Sequence, residues 1–151
     1  MEIMGKGSYS FPKEERLHHR SLVEGLFRLG KSFYEFPFRV TWRVLTSEEL
    51  QKNFRNKVPD GIGDMQLLIS VPKKKRRRAV DRVRMRRRIR EAYRLNRLPL
   101  RKHVSDHDGI KTLSIGLVYI YDKDLPYITI EDKVKSLLSK LQTKIPTKEN
   151  C

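Results

Sequence analysis

The chain has 151 residues, enough for one ordinary core, with 34 Lys and Arg against 18 Asp and Glu and a formal net charge of +16. A single cysteine, Cys151, excludes an internal disulfide framework and a multi-cysteine zinc site. No apolar run approaches the roughly 18 residues of a membrane span and no secretory pattern opens the chain. The expectation is therefore a soluble cytoplasmic protein, with no membrane and no obligate protein partner, whose excess charge answers a polyanion, most commonly nucleic acid.

Residues 1–10 are expected to form a flexible arm. From Glu14 to Leu29, the positions Leu22, Val23, Leu26, Phe27 and Leu29 follow helical spacing, and Gly30 stands where a C-terminal cap belongs. The run Phe36 to Val44 alternates: Phe36, Phe38, Val40, Trp42 and Val44 are apolar, while Pro37, Arg39, Thr41 and Arg43 lie between them. Such alternation predicts a half-buried strand with Pro37 at its start. Thr46 to Asp64 is polar and carries the turn residues Pro59-Asp60-Gly61, so a long loop over 46–64 is expected, with room for a short helix in its first half. Gln66 to Val71 predicts a second strand closed by Pro72. Leu113 to Tyr121 predicts the strongest strand, apolar enough on both sides to be covered on both faces. Thr129 and Asp132 resemble a capping box opening a last helix, with Val134, Leu137, Leu138 and Leu141 in one stripe. Residues 143–151, with Pro146, are expected to be a flexible tail. The order helix, strand, strand, basic helix, strand, helix predicts a single α+β domain over 11–142 with a small mixed sheet.

Between the second and third strands, residues 73–94 hold thirteen Lys or Arg against Asp81 and Glu91. Met85, Ile89, Ala92 and Tyr93 stand at i, i+4, i+7 and i+8, which predicts a helix from near Asp81 with one buried face. Arg82, Arg86 and Arg90 form a stripe beside that face, extended by Arg97, and Arg84, Arg87, Arg88 and Arg94 fill the rest of the circumference. So much like charge on one helix is economical if a core lies on one side and phosphates on the other. The arginine fork suits bidentate phosphate contacts and stacking. The segment Pro72-Lys73-Lys74-Lys75-Arg76-Arg77-Arg78 also has the look of a nuclear import signal, but such runs arise in any arginine-rich RNA binder.

The residues Ser70-Val71-Pro72-Lys73-Lys74, followed by Ala79-Val80-Asp81-Arg82-Val83-Arg84-Met85-Arg86-Arg87-Arg88-Ile89-Arg90-Glu91, resemble the signature of the bacterial ribonuclease P protein subunit. That pattern runs approximately S-V-x-K-K, then A-V-x-R-N-R-x-K-R-x-x-R-E. Arg16-Leu17 and Leu26-Phe27-x-x-Gly30-Lys31 resemble the family's first helix. The resemblance implies an α+β fold with a left-handed crossover. It also implies an accessory role: the protein holds the catalytic RNA and the 5′ leader of precursor tRNA while an RNA subunit using Mg²⁺, held mainly by that RNA, removes the leader. Lys73, Lys74, Arg82, Arg84, Arg86, Arg87, Arg90 and Arg94 would then bind RNA, with Arg82, Arg86 and Arg90 toward the leader. Phe27, Trp42 and Phe11 would be the aromatic platforms, although Phe27 and Trp42 sit on apolar stripes and read equally well as core. Two positions depart from the pattern: Val83 replaces the asparagine of R-N-R, and Val23 replaces a second aromatic.

No nucleophile triad, P-loop, dinucleotide motif or metal cluster is visible, so the protein chain itself is expected to supply no catalytic residue. His103, Asp106, His107 and Asp108 read as a polar connection, His18-His19 as an exposed helix face, Glu48-Glu49 as a solvated loop, and Cys151 as an unactivated thiol. A ribosome-associated RNA-binding module shares the fold and charge of the first reading. A duplex-DNA reader lacks the zipper or the preceding helix it would need.

Overall fold

The computed structural model describes residues 11–54 and 57–145. Four strands form one sheet: β1 (Lys31–Glu35), β2 (Phe38–Leu45), β3 (Met65–Ser70) and β4 (Thr112–Tyr119), in the spatial order β1-β2-β4-β3. β1 with β2 and β2 with β4 are antiparallel, whereas β3 runs parallel to β4. A parallel pair cannot be closed by a hairpin. The crossover is made by the arginine-rich helix and a short successor. Five helices surround the sheet: α1 (Arg20–Leu29), α2 (Ser47–Lys52), α3 (Ala79–Asn96), α4 (Leu98–Ser105) and α5 (Tyr127–Lys144).

Period-two alternation decides what each sheet face meets. Phe38, Val40 and Trp42 lie opposite Tyr119, Leu117 and Ile115, and this face packs against α3, α4 and α5 in the main core. Leu45 shares the other face with Leu68, where Leu17, Leu22 and Leu26 and the α2 residue Leu50 form a second core. Gly116 lies on that second face. A Cβ there would stand 3.1 Å from both Leu26 Cδ2 and Phe27 Cζ, so glycine lets α1 lie close on β4.

The structure corrects several expectations from the sequence. The first helix begins at Arg20, not Glu14. Lys13–Glu15 is a single 3₁₀ turn, and Arg16 then bridges β3 in parallel fashion at Leu67, with Leu17 N–H donating to the Leu67 carbonyl at 2.9 Å. This edge pairing commits to β3 the backbone groups a continuous helix would have used. His18 and His19 precede α1 and are not on its face. Phe36-Pro37 is the turn of a β1–β2 hairpin, joined by a cis peptide bond, and the strand itself starts at Phe38.

Inside the expected 46–64 loop, Thr46 and Glu49 make a capping box, with Glu49 N–H donating to Thr46 Oγ1 at 3.2 Å and Thr46 N–H to Glu49 Oε1 at 2.9 Å. The box expected at Thr129 is absent, because α5 starts at Tyr127 after Pro126. Proline at that boundary fits a helix start, where its missing N–H is no loss. α4 lies where no element is expected from the sequence, and α5 runs through Lys144 to a buried Ile145, into the expected tail. Among the described residues no helix is long and apolar enough to cross a membrane. The 1–10 arm, Pro146 and Cys151 lie outside the described residues.

Candidate nucleic-acid interface

α3 is held by the face its sequence marks out. Met85, Ile89, Ala92 and Tyr93 are all fully buried, against α5 residues that include Ile130, Val134 and Leu137. The helix has no side-chain N-cap, but Asp81 in its first turn complements the dipole. With one face fixed, the arginines divide into two sets by what they touch.

The first set is tied into the protein. Arg84 Nη1 donates to Asp81 Oδ1 at 3.0 Å and to Asp124 Oδ2 at 2.6 Å, and Arg76 meets the same two carboxylates at 3.3 and 2.9 Å. Hydrogen bonds to Asp124 and then Asp81 hold the Arg84 guanidinium above its ordinary pKa. Arg88 donates to the Leu125 carbonyl at 2.5 Å, and Arg94 is paired with Glu91 at 2.7 Å, which raises its pKa likewise. Arg97, expected to lengthen the exposed stripe, is instead completely buried. Its Nε donates to Glu15 Oε1 at 2.6 Å and its Nη2 to Glu15 Oε2 at 3.0 Å, a two-pronged pair that anchors the 3₁₀ turn to the α3–α4 junction. Arg84 and Arg94, expected to bind RNA, thus have their charge met inside the chain, and Arg97 is a core group.

The second set has no carboxylate partner among the described residues. Arg86, Arg87 and Arg90 make no ion pair, and Arg82 turns to the carbonyls of Arg76 and Arg77 at 3.0 and 2.7 Å. Burial first, and then the charges of Arg16, Arg86 and Arg87, push the Arg90 guanidinium below its ordinary value. Four cations thus crowd one margin of α3. Arg16 completes the group from the segment bridged to β3, a role that sequence reasoning does not assign to it. Its one signal there is its place beside Leu17 in the family-like first segment. Lys73 and Lys74 are exposed in the turn after β3, where Lys75 and Arg76 N–H groups donate to the Pro72 carbonyl.

The three expected aromatic platforms are not brought together. Phe11 joins the arginine margin: it packs edge-on to Tyr93 with centroids 5.9 Å apart, and Arg16 lies 5.5 Å over its ring. Phe27 is 43% exposed on α1, above Gly116 on the second sheet face. Trp42 is only 7% exposed and belongs to the main core on the opposite face, with Lys31 Nζ 5.5 Å from its ring. It is therefore a packing residue and not a partner of Phe27, because β2 alternation turns position 42 away from α1. Among the described residues no three His, Cys, Asp or Glu side chains gather to hold a metal ion. His103 bonds the Ile145 carbonyl at 3.0 Å and His107 Nδ1 accepts from Gly109 N–H at 3.0 Å, so both serve the fold.

The cationic margin suits an extended polyanion. The family model described as Ribonuclease P matches residues 11–142. The Ribonuclease P protein component of Porphyromonas gingivalis strain W83 is 29% identical over 141 residues, covering 93% of this chain and 92% of that protein. Among solved structures, the RNase P protein of Staphylococcus aureus superposes with a TM-score of 0.57 at 21% identity, covering 84% of this chain and 94% of that one. The RNase P protein of Thermotoga maritima superposes at 0.56 with 21% identity, covering 83% and 96%. At these identities the structures speak for the fold. With the family matched over nearly all of its length, the chain belongs to the ribonuclease P protein family, which makes it the protein component of a ribonucleoprotein endoribonuclease of tRNA processing, with an RNA subunit as partner.

Proposed function

We propose that this protein binds the 5′ leader of precursor tRNA and the catalytic RNA together, and so promotes removal of the leader by RNA-based chemistry with Mg²⁺. The observation that carries this reading is the cluster of Arg16, Arg86, Arg87 and Arg90, which has no carboxylate partner among the described residues. Like charges held together repel, and phosphates relieve that repulsion while releasing counterions. Arg82, Lys73 and Lys74 continue the cationic margin past the start of α3, and Phe11 and Phe27 are the aromatic surfaces available to unpaired bases.

The residues present do not fit a resident metal. The carboxylates on the basic helix, Asp81 and Glu91, and the nearby Asp124 are already bonded to Arg76, Arg84 and Arg94. Mg²⁺ is accordingly assigned to the RNA subunit. The replacement of asparagine by Val83 removes one amide from the margin and none of its charge.

The test is cleavage of a 5′-extended precursor tRNA by a bacterial ribonuclease P RNA, at low Mg²⁺ and moderate salt, with and without this protein. Strong stimulation at the correct 5′ end, absent with an unrelated basic protein, is the expected result. Tight RNA binding without stimulation overturns the reading in favour of a general RNA-binding module.

A further inference from the structure

Three aromatic side chains stand largely in solvent among the described residues. Phe27 has been placed above; the other two, Tyr34 (68% exposed) and Phe36 (54%), sit together on the β1–β2 hairpin. Isolated exposed apolar groups are ordinary, but Phe36 is built into a rim at the strand ends, with Tyr34 two residues before it on β1. Phe36 packs edge-on to Tyr121, with ring centroids 5.1 Å apart and planes at 66°. Ile120 N–H donates to the Pro37 carbonyl at 2.8 Å, fixing the hairpin turn to the end of β4. One residue beyond Tyr121, the Asp122 carbonyl accepts from Arg76 Nη1 at 2.9 Å, and the Arg76 and Arg77 carbonyls accept in turn from Arg82. Tyr34 is in register with the exposed Arg39 on β2.

We propose that the Phe36–Tyr121 rim, with Tyr34 exposed on the same hairpin, is a second stacking platform that extends the RNA track from the arginine margin and takes unpaired bases of the precursor leader. This rests on the proposed function above. Aromatic faces interleaved with cations are the physical requirement for sequence-tolerant single-strand binding. Arg39 on β2 is exposed, and the turn after β3, tied to Asp122 through Arg76, carries exposed Lys73, Lys74, Lys75 and Arg77 against the exposed carboxylate of Asp122. An acidic or apolar protein partner would not need the rings set at the end of a cationic run. Unpaired RNA uses both, and the leader is the unpaired strand that the arginine margin is proposed to hold.

The experiment is a scan of single abasic sites through the leader of a precursor tRNA, measuring affinity for the enzyme assembled from this protein and the RNA subunit. Wild type, Tyr34→Ala, Phe36→Ala and Phe36→Trp are compared, the last restoring a stacking face. Phe36→Ala and Tyr34→Ala are expected to weaken leader-bearing precursor by about fivefold or more, and mature tRNA not at all. At one or two leader positions an abasic site should penalise wild type and Phe36→Trp but not Phe36→Ala. Identical abasic profiles in wild type and Phe36→Ala overturn the inference. So does a Phe36→Ala loss that appears equally with mature tRNA or in affinity for the RNA subunit alone, because it places the ring on the catalytic RNA or in the fold. If wild type stimulates cleavage and these profiles still coincide, only this platform fails and the proposed function stands.

Discussion

Replacing Glu15 by glutamine tests whether the pair with Arg97 holds the N-terminal segment to the arginine helix. Both side chains are out of solvent, at 0% and 2% exposure, and the carboxylate receives Nε at 2.6 Å, Nη2 at 3.0 Å and a longer bond from Arg101 at 3.4 Å. In E15Q the shape remains and the charge goes: the buried guanidinium keeps neutral acceptors, the amide oxygen and the Arg94 carbonyl at 2.6 Å, and loses its counter-charge. Two charges about 4 Å apart at an effective dielectric of about 20 interact by about 4 kcal/mol, and breaking buried pairs from one side costs about 3–5 kcal/mol. For a domain of this size that corresponds to a fall in melting temperature of roughly 6–20 °C. With a urea m-value of about 2 kcal/mol/M, the midpoint should fall by about 1.5–2.5 M. Trp42 is the chain's one tryptophan and is buried in the main core, so its emission follows unfolding directly. The double replacement E15L/R97M removes both charges and should lie much closer to wild type than E15Q, since a buried pair gives little net stability over a well-packed apolar substitute. An E15Q midpoint within about 0.5 M of wild type at an unchanged m-value refutes the assignment.

Arg86→Ala and Arg90→Ala should each weaken leader-bearing precursor by about 1–3 kcal/mol relative to mature tRNA while leaving the melting temperature unchanged. Arg84→Ala should do the reverse, lowering the melting temperature by releasing Asp81 and Asp124, and the opposite pattern in either would void the division of the helix. The double variant R86A/R90A should also flatten the plot of log affinity against log salt by about 1.4, at about 0.7 for each single-strand phosphate that is no longer neutralised. Trp42 emission should be unmoved by leader-bearing precursor, and strong quenching would return Trp42 to the interface. Glu35 accepts from Lys140 and Ser136, and the Lys140 bond holds its carboxyl below the usual carboxylate range against the opposing effect of burial. A depressed folded-state value stabilises the protein above the unfolded pKa, and that contribution is lost as pH falls through the folded one. Glu35→Gln should therefore lie below wild type in urea midpoint at pH 7 and converge with it as pH falls through the folded value, and a gap that persists in strong acid would assign the loss to packing.

The elements legible in the sequence are those whose burial pattern is strong and local. β2, β4, the buried face of α3 and the stripe of α5 all carry their period in side chains that are buried as expected. β1 escapes a sequence reading because Lys31-Ser-Phe-Tyr-Glu is an edge strand with mostly exposed side chains, so no burial imposes alternation. α4 escapes it because Pro99 sits in its first turn, where proline is tolerated but reads as a breaker. The first helix reads too long because Glu14-Glu15-Arg16 is helix-compatible in composition, and what sets its conformation is pairing with β3 about fifty positions away.

The arginine helix shows where local pattern stops informing on function. Helical geometry places seven arginines from Arg82 to Arg94 on α3 and sorts them only by their angle from the buried face. What separates them is acids far along the chain: Asp124 lies 40 positions from Arg84, and Glu15 lies 82 from Arg97. Each remote carboxylate ties two guanidinium groups into the fold, Asp124 those of Arg76 and Arg84 and Glu15 those of Arg97 and Arg101, and so helps define, by subtraction, the margin of Arg82, Arg86, Arg87 and Arg90. The same logic ties stability to binding. Glu15 fixes Arg97 and with it the turn that leads into Arg16, whose charge completes the cluster around Arg90. A buried ion pair that contributes little net stability still positions a cation on the proposed RNA margin. E15L/R97M is therefore expected to regain wild-type stability before it regains wild-type affinity for the leader. If both return together, the pair holds the fold and does nothing further for the RNA.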